Sequence, residues 1–172
     1  PPLVRTVLAI AVALAMLIPA EAALAVTSPA AAAPPSLAPT SSSSPRPAHS
    51  VVAHPSTTAT PAQDQIVCTP NVQNPHNSTH VPGTVNVVVT LSCTSPVPYI
   101  SIRAALYFNG NLVSDSGAIP FYNTNFAQAN AAVGCQDGYY LGWISYYVEF
   151  PSGYSPPDAS GSGYGNEVYL TC

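Results

Sequence analysis

Alternating apolar and polar positions run through the second half of the chain. In "TVNVVVTLSC", Val85, Val87, Val89, Leu91 and Cys93 fall on one side, with Thr84, Asn86, Thr90 and Ser92 on the other. A period of two is that of a strand, whose successive side chains point to opposite faces. "YISIRAALYFNGNLVSDS" repeats the pattern through Ile100, Ile102, Ala104, Leu106 and Phe108, then reaches Asn109-Gly110. Asn-Gly tolerates positive φ at both positions, as a type I′ turn demands, so a hairpin returns through Leu112 and Val113. "YYLGWISYYVEF" is the longest predicted strand. Its even face carries Tyr140, Gly142, Ile144, Tyr146, Val148 and Phe150. Its odd face carries Tyr139, Leu141, Trp143, Ser145, Tyr147 and Glu149. Both faces are apolar enough to pack, which predicts a central strand.

Weaker patterns complete the set. A strand opens the domain over about Gln65 to Val72, and "NEVYLTC" closes it. The Ala/Asn-rich stretch near Asn123 to Val133 reads as a strand or as a short helix. "PSGYSPPDASGSGYG" reads as a loop of Pro, Gly and Ser. Short strands between turn signals predict an all-β domain over residues 63–172, an immunoglobulin-like antiparallel β-sandwich. Trp143 follows Cys135, so the antibody order Cys…Trp…Cys is absent and only the architecture is predicted.

The first half is a different material. Residues 1–25 read as an export signal, with Arg5 before the apolar run Val7 to Ile18, Pro19 after it, and small-x-small cleavage sites ending at Ala22 and Ala25. The run is shorter than the roughly 20 residues a bilayer span needs; a retained N-terminal anchor is the alternative. Residues 26–62 are Ala, Pro, Ser and Thr with few large apolar groups. Such composition buries too little surface to offset ordering entropy, so a disordered spacer is expected, with an O-glycosylated stalk as the other reading.

Four cysteines far apart fit an exported domain with two disulfides. Of the three possible connectivities, adjacent antiparallel strands favour Cys68–Cys93 and Cys135–Cys172. Charged residues make up 6 % of the chain, against about 25 % in an average protein. There is no lysine, and the arginines are Arg5, Arg46 and Arg103. That excludes a basic nucleic-acid face and lysine chemistry.

Catalytic patterns are thin. No nucleophile elbow occurs. "GSGYG" over Gly161 to Gly165 is read as a turn rather than a phosphate cradle. His76 and His80 are spaced as two metal ligands on a helix would be, but Pro75, Pro82 and Gly83 frame them as loop residues. "NST" at Asn77 matches the N-glycosylation pattern. Glu149 and Glu167 could face each other across the last hairpin, as a hydrolase pair would. Strand-end solvation explains them as well. No cofactor, no metal and no catalytic residue is assigned.

The aromatics are the strong signal. All fifteen lie between Tyr99 and Tyr169. If the even face of the long strand packs the core, Tyr139, Trp143 and Tyr147 share the other face. Tyr99, Arg103 and Tyr107 line the matching face of the hairpin strand. Neighbouring strands would then present an open platform of tyrosines, one indole and one guanidinium, suited to sugar rings or protein partners. Ordinary cross-strand packing of tyrosines is the competing explanation.

"HVPGTVNVVVTLSCTSPV", "CQDGYYLGW" and "FPSGYSPP" together resemble small secreted proteins of actinobacteria that carry no assigned activity. The resemblance spans about Cys68 to Cys172 and implies export and a disulfide-bonded β domain. The expected protein is a secreted or wall-associated non-enzymatic binding or structural module, its partner a cell-envelope glycan or an extracellular protein. The alternative is a secreted inhibitor or effector acting through loop 151–165, and the third reading is the carboxylate hydrolase.

Overall fold

The computed structural model describes residues 29–35, 46–56 and 64–172. The expected export signal, residues 1–25, lies outside them, as do 36–45 and 57–63. The described elements are all strands: β1 (Val51–Pro55), β2 (Ile66–Val72), β3 (His76–Asn77), β4 (Thr84–Phe108), β5 (Asn111–Asp115), β6 (Ile119–Gly134), β7 (Gly138–Glu149), β8 (Tyr154–Ser155) and β9 (Asp158–Leu170). Every named pairing between them is antiparallel.

Strand β4 organises the fold. Its first part pairs with β2 on one side, from Cys68↔Cys93 to Val72↔Val89, and with β6 on the other. Its last part, Tyr99 to Phe108, pairs with β7. Between them the register against β6 shifts at Ser92/Val97, where Pro96 and Pro98 interrupt the amide donors. A shift of this kind bends a strand. Asn123 stands beside it on β6 with φ 50°, a conformation that asparagine tolerates better than most residues.

The bend lets β4 serve two layers. Val85, Val87, Val89 and Leu91 from its first part and Ile100, Ile102, Ala104 and Leu106 from its second share one core with Tyr140, Ile144, Tyr146 and Val148 of β7. The layers come close at Gly142, where a Cβ would stand 2.5 Å from Val87 Cγ2 and 3.0 Å from Val72 Cγ1. The layered antiparallel β architecture with two disulfides is the one the alternation predicts, and an immunoglobulin-like arrangement is consistent with it. Cys68 bonds Cys93 and Cys135 bonds Cys172. With no free thiol, the chain fits an oxidising compartment. Asn109 and Gly110 both have positive φ, as the hairpin turn requires.

Three expectations change. The stretch around 123–133 is strand throughout, inside β6, so the helix alternative falls. The domain begins earlier than residue 63: Val51–Pro55 is strand β1, paired to β2, with Ala53 fully buried. Val51-Val52 is the sole pair of adjacent large aliphatic residues in the linker, and that pair carries the strand.

The third change concerns the Pro/Gly/Ser stretch. Asp158–Leu170 is one long strand, β9, so the expected loop 151–165 shrinks to the turn before it. Gly161, Gly163 and Gly165 stand at alternate positions, on the face turned inward. They are there for close approach rather than for turning. A Cβ at 163 would stand 2.1 Å from the Ala48 nitrogen, and one at 161 would meet the Tyr146 ring. The backbone of residues 46–48 runs against β9 here, with the Tyr164 N–H donating to Arg46 O and the Tyr146 hydroxyl donating to His49 O. Gly163→Ala must push that backbone away. We expect a loss of about 1–3 kcal/mol, read as a lower urea midpoint, together with faster amide exchange in β1.

Candidate ligand-binding face

The site is the face of the second layer turned away from the core. Register places its residues. Tyr99, Ser101, Arg103, Ala105 and Tyr107 of β4 stand opposite Glu149, Tyr147, Ser145, Trp143 and Leu141 of β7. On the far side of β7, Trp143 pairs with Tyr164, Tyr147 with Ser160 and Tyr139 with Tyr169. Directly opposed residues of an antiparallel pair share a face. The six residues expected to form a platform, Tyr99, Arg103, Tyr107, Tyr139, Trp143 and Tyr147, therefore do lie on one face.

The expected open platform is nevertheless closed over much of its length. Tyr107 is fully buried, Trp143 is 2 % exposed and Tyr99 7 %. The cover includes the chain itself. Pro29 to Pro35, expected as part of a disordered spacer, lies along this face. The Tyr99 hydroxyl donates to Pro29 O at 2.9 Å. The Ala31 N–H donates to Ser101 Oγ at 3.1 Å. The Ser145 hydroxyl donates to Ala32 O at 2.6 Å, and the Tyr107 hydroxyl to Pro35 O at 2.5 Å. Trp143 and Ala105 lie in register between the Ser145 and Tyr107 contacts, under the second half of the segment. The segment has no large side chain to bury. Its order comes from borrowed aromatic surface, from satisfied backbone groups, and from prolines whose restricted φ reduces the entropy lost on docking.

The aromatics divide into groups. Tyr99 touches Tyr122 and Tyr147, with ring centroids 5.3 and 6.2 Å away. Tyr107 and Tyr164 stand 6.0 Å apart. With Ala105, Leu141 and Trp143 they form a second apolar cluster, separate from the main core. Tyr139 and Tyr169 make an edge-on pair at 5.0 Å, each more than half exposed.

The electrostatics keep these hydroxyls as donors. Burial first, and then the neighbouring Tyr164, push the Tyr107 hydroxyl well above the usual phenol range. Burial, followed by the carboxylates of Asp158 and Glu149, raises Tyr147. Arg103 is committed elsewhere. Its Nε and Nη2 bind the two Asp115 oxygens at 2.8 and 2.5 Å, and this fork holds Asp115 below the usual carboxylate range. The guanidinium is thus paired rather than presented to an anion.

The other candidates are dispersed. Glu149 faces Asp158 across the last hairpin, and Glu167 stands opposite Leu141, so the Glu149–Glu167 pair of the hydrolase reading is not formed. His76 lies on β3, its Nδ1 3.0 Å from Asn74 O, and the described residues hold no group of three His, Cys, Asp or Glu suited to a metal. Sequence reasoning missed Ser101, Ser145, Tyr122 and Tyr164. A signal for Ser145 was present: it is a lone small polar residue in the aromatic and aliphatic row Tyr139, Leu141, Trp143, Tyr147. No protein-family model, no curated protein and no solved structure matches the chain.

Proposed function

We propose that this is a secreted, immunoglobulin-like, non-enzymatic binding module that works through the aromatic outer face of its second layer. One observation carries the reading: that face already holds an extended stretch of polypeptide through four hydrogen bonds between its side chains and the stretch's backbone. A face that satisfies main-chain groups over a floor of tyrosine and tryptophan has the chemistry of a recognition surface. The signal-like leader and the two disulfides support export, and a partner at the cell envelope, a glycan or a protein, follows from that location.

The test is calorimetric titration of the full secreted chain with solubilised envelope glycans and envelope proteins. We expect saturable binding that Tyr147→Ala weakens at least about tenfold and that Ser152→Ala leaves unchanged. The opposite pattern would favour an inhibitor acting through the turn at 151–157. Turnover of a glycan, lost on Glu149→Gln, would replace both readings with a hydrolase.

A further inference from the structure

We infer that the aromatic face is a receptor for extended Pro/Ala-rich peptide, and that Pro29–Pro35 is its resident, self-supplied copy. The inference rests on the binding reading above and names the ligand class. The spacing of the contacts is its foundation. The three carbonyls held by hydroxyl donors belong to Pro29, Ala32 and Pro35, three residues apart each time. Three residues make one turn of a polyproline II helix, so carbonyls at this interval line up along one side of it. Tyr99, Ser145 and Tyr107 supply a donor at each turn.

The same geometry defines selectivity. Every hydrogen bond goes to the peptide backbone, so side-chain identity matters only where space or the N–H is limiting. Both limits fall on Ala31, which is 4 % exposed and whose N–H donates to Ser101. A proline there has no N–H, and a large residue has no room. Elsewhere proline is favoured, because it pre-orders the extended form and its amide lacks only a donor the face does not use. The ligand is therefore an uncharged Pro/Ala-rich strand with a small non-proline residue at its third position.

Tethering explains why the resident copy dominates. A short connection gives an effective concentration on the order of millimolar, and ten residues separate Pro35 from Arg46. A free peptide displaces the segment only above that level, or when it binds more tightly.

The experiment uses the full secreted chain with Pro29–Pro35 replaced by seven Gly/Ser residues. The probe is the synthetic peptide PAAAAPP with blocked ends, and peptidoglycan fragments are titrated in parallel. In the replaced chain the emission of Trp143, the single tryptophan, is expected to shift red. PAAAAPP should return it to the blue saturably. The peptide carrying Ala31→Pro should bind at least about tenfold more weakly, and Ser145→Ala or Tyr107→Phe in the protein should each weaken PAAAAPP about threefold to tenfold.

An unshifted emission with no response to PAAAAPP, alongside saturable binding of the glycan fragments, would overturn the peptide inference and leave the binding reading standing. Silence towards both would overturn the two together. A second measurement serves if the replaced chain does not fold. In the unaltered chain the Ala31 amide should exchange slowly, and both Ser101→Ala and excess PAAAAPP should accelerate it. Exchange at the rate of a free peptide would also sink the inference.

Discussion

Trp143→Ala is expected to lower the unfolding free energy by about 3–5 kcal/mol. A domain of this size has only about 5–15 kcal/mol in total, so a substantial unfolded population should follow. The indole is 2 % exposed and packs in the second cluster with Ala105, Tyr107 and Leu141. Removing it opens a cavity on the outer face of the β4–β7 layer, beside Ala105, Tyr107 and Leu141. Tyr139→Ala makes the informative contrast. Tyr139 is 53 % exposed, and the one aromatic it touches is Tyr169. Its loss should change stability by less than about 1 kcal/mol. Urea unfolding of both variants, followed by far-UV circular dichroism, checks the pair. Equal, small effects would mean that the tryptophan sits on an open face and that residues 29–35 do not cover it. Because Trp143→Ala removes structure and ligand floor together, loss of binding in that variant says nothing about recognition. Hydroxyl-only changes such as Tyr107→Phe carry that question.

Local periodicity made much of the fold legible. Val85, Val87, Val89, Leu91 and Cys93, and then Ile100, Ile102, Ala104 and Leu106, recur at every second position, and each of them is buried. Alternation fixes which residues share a face, and that is why the six candidate residues of β4 and β7 were grouped correctly. Alternation is silent on what lies above a face. The stretch bonded to Ser145, two residues from Trp143, comes 113 positions earlier in the chain, and its composition gives it no core of its own. Composition predicts whether a segment folds alone; it cannot report a segment that folds onto a neighbour.

The glycines of β9 were misread for a related reason. Gly, Ser and Pro together signal turns because glycine reaches backbone angles that other residues avoid. Gly161, Gly163 and Gly165 use the absence of a side chain instead. Their period of two was visible in "GSGYG" and is the mark of a strand whose inner face meets another backbone. Gly83, Gly110, Gly117 and Gly153, all with positive φ, are the turn glycines. Separating the two classes requires knowing what approaches, and the Pro47–Ala48 backbone that approaches Gly163 lay in the supposed linker.

Removing either disulfide should destabilise the domain, and the two should rank against the order that loop length gives. Constraint of the unfolded chain alone amounts to about 3.5 kcal/mol for the closure of 25 residues and about 4 kcal/mol for that of 37. The native environments differ far more than those figures. Cys68 and Cys93 are buried opposite each other, Cα atoms 3.9 Å apart, within the main core. Replacing both with alanine removes two sulfurs from a packed interior and adds a cavity penalty of about 1 kcal/mol or more. Cys172 is exposed, and its N–H donates to Asp137 Oδ1 at 2.8 Å, a bond that does not involve the sulfur. Cys135 is only partly buried against the core, so the cavity left there is smaller, and the end of β9 stays tethered. We therefore expect Cys68→Ala/Cys93→Ala to lower the urea midpoint more than Cys135→Ala/Cys172→Ala. The former should also loosen β2 from β4, the strand both layers share, so amide exchange should quicken across the sheet. With the latter it should quicken only near residues 135–140 and 167–172. The reverse ranking would mean that unfolded-chain entropy outweighs native packing at both bridges.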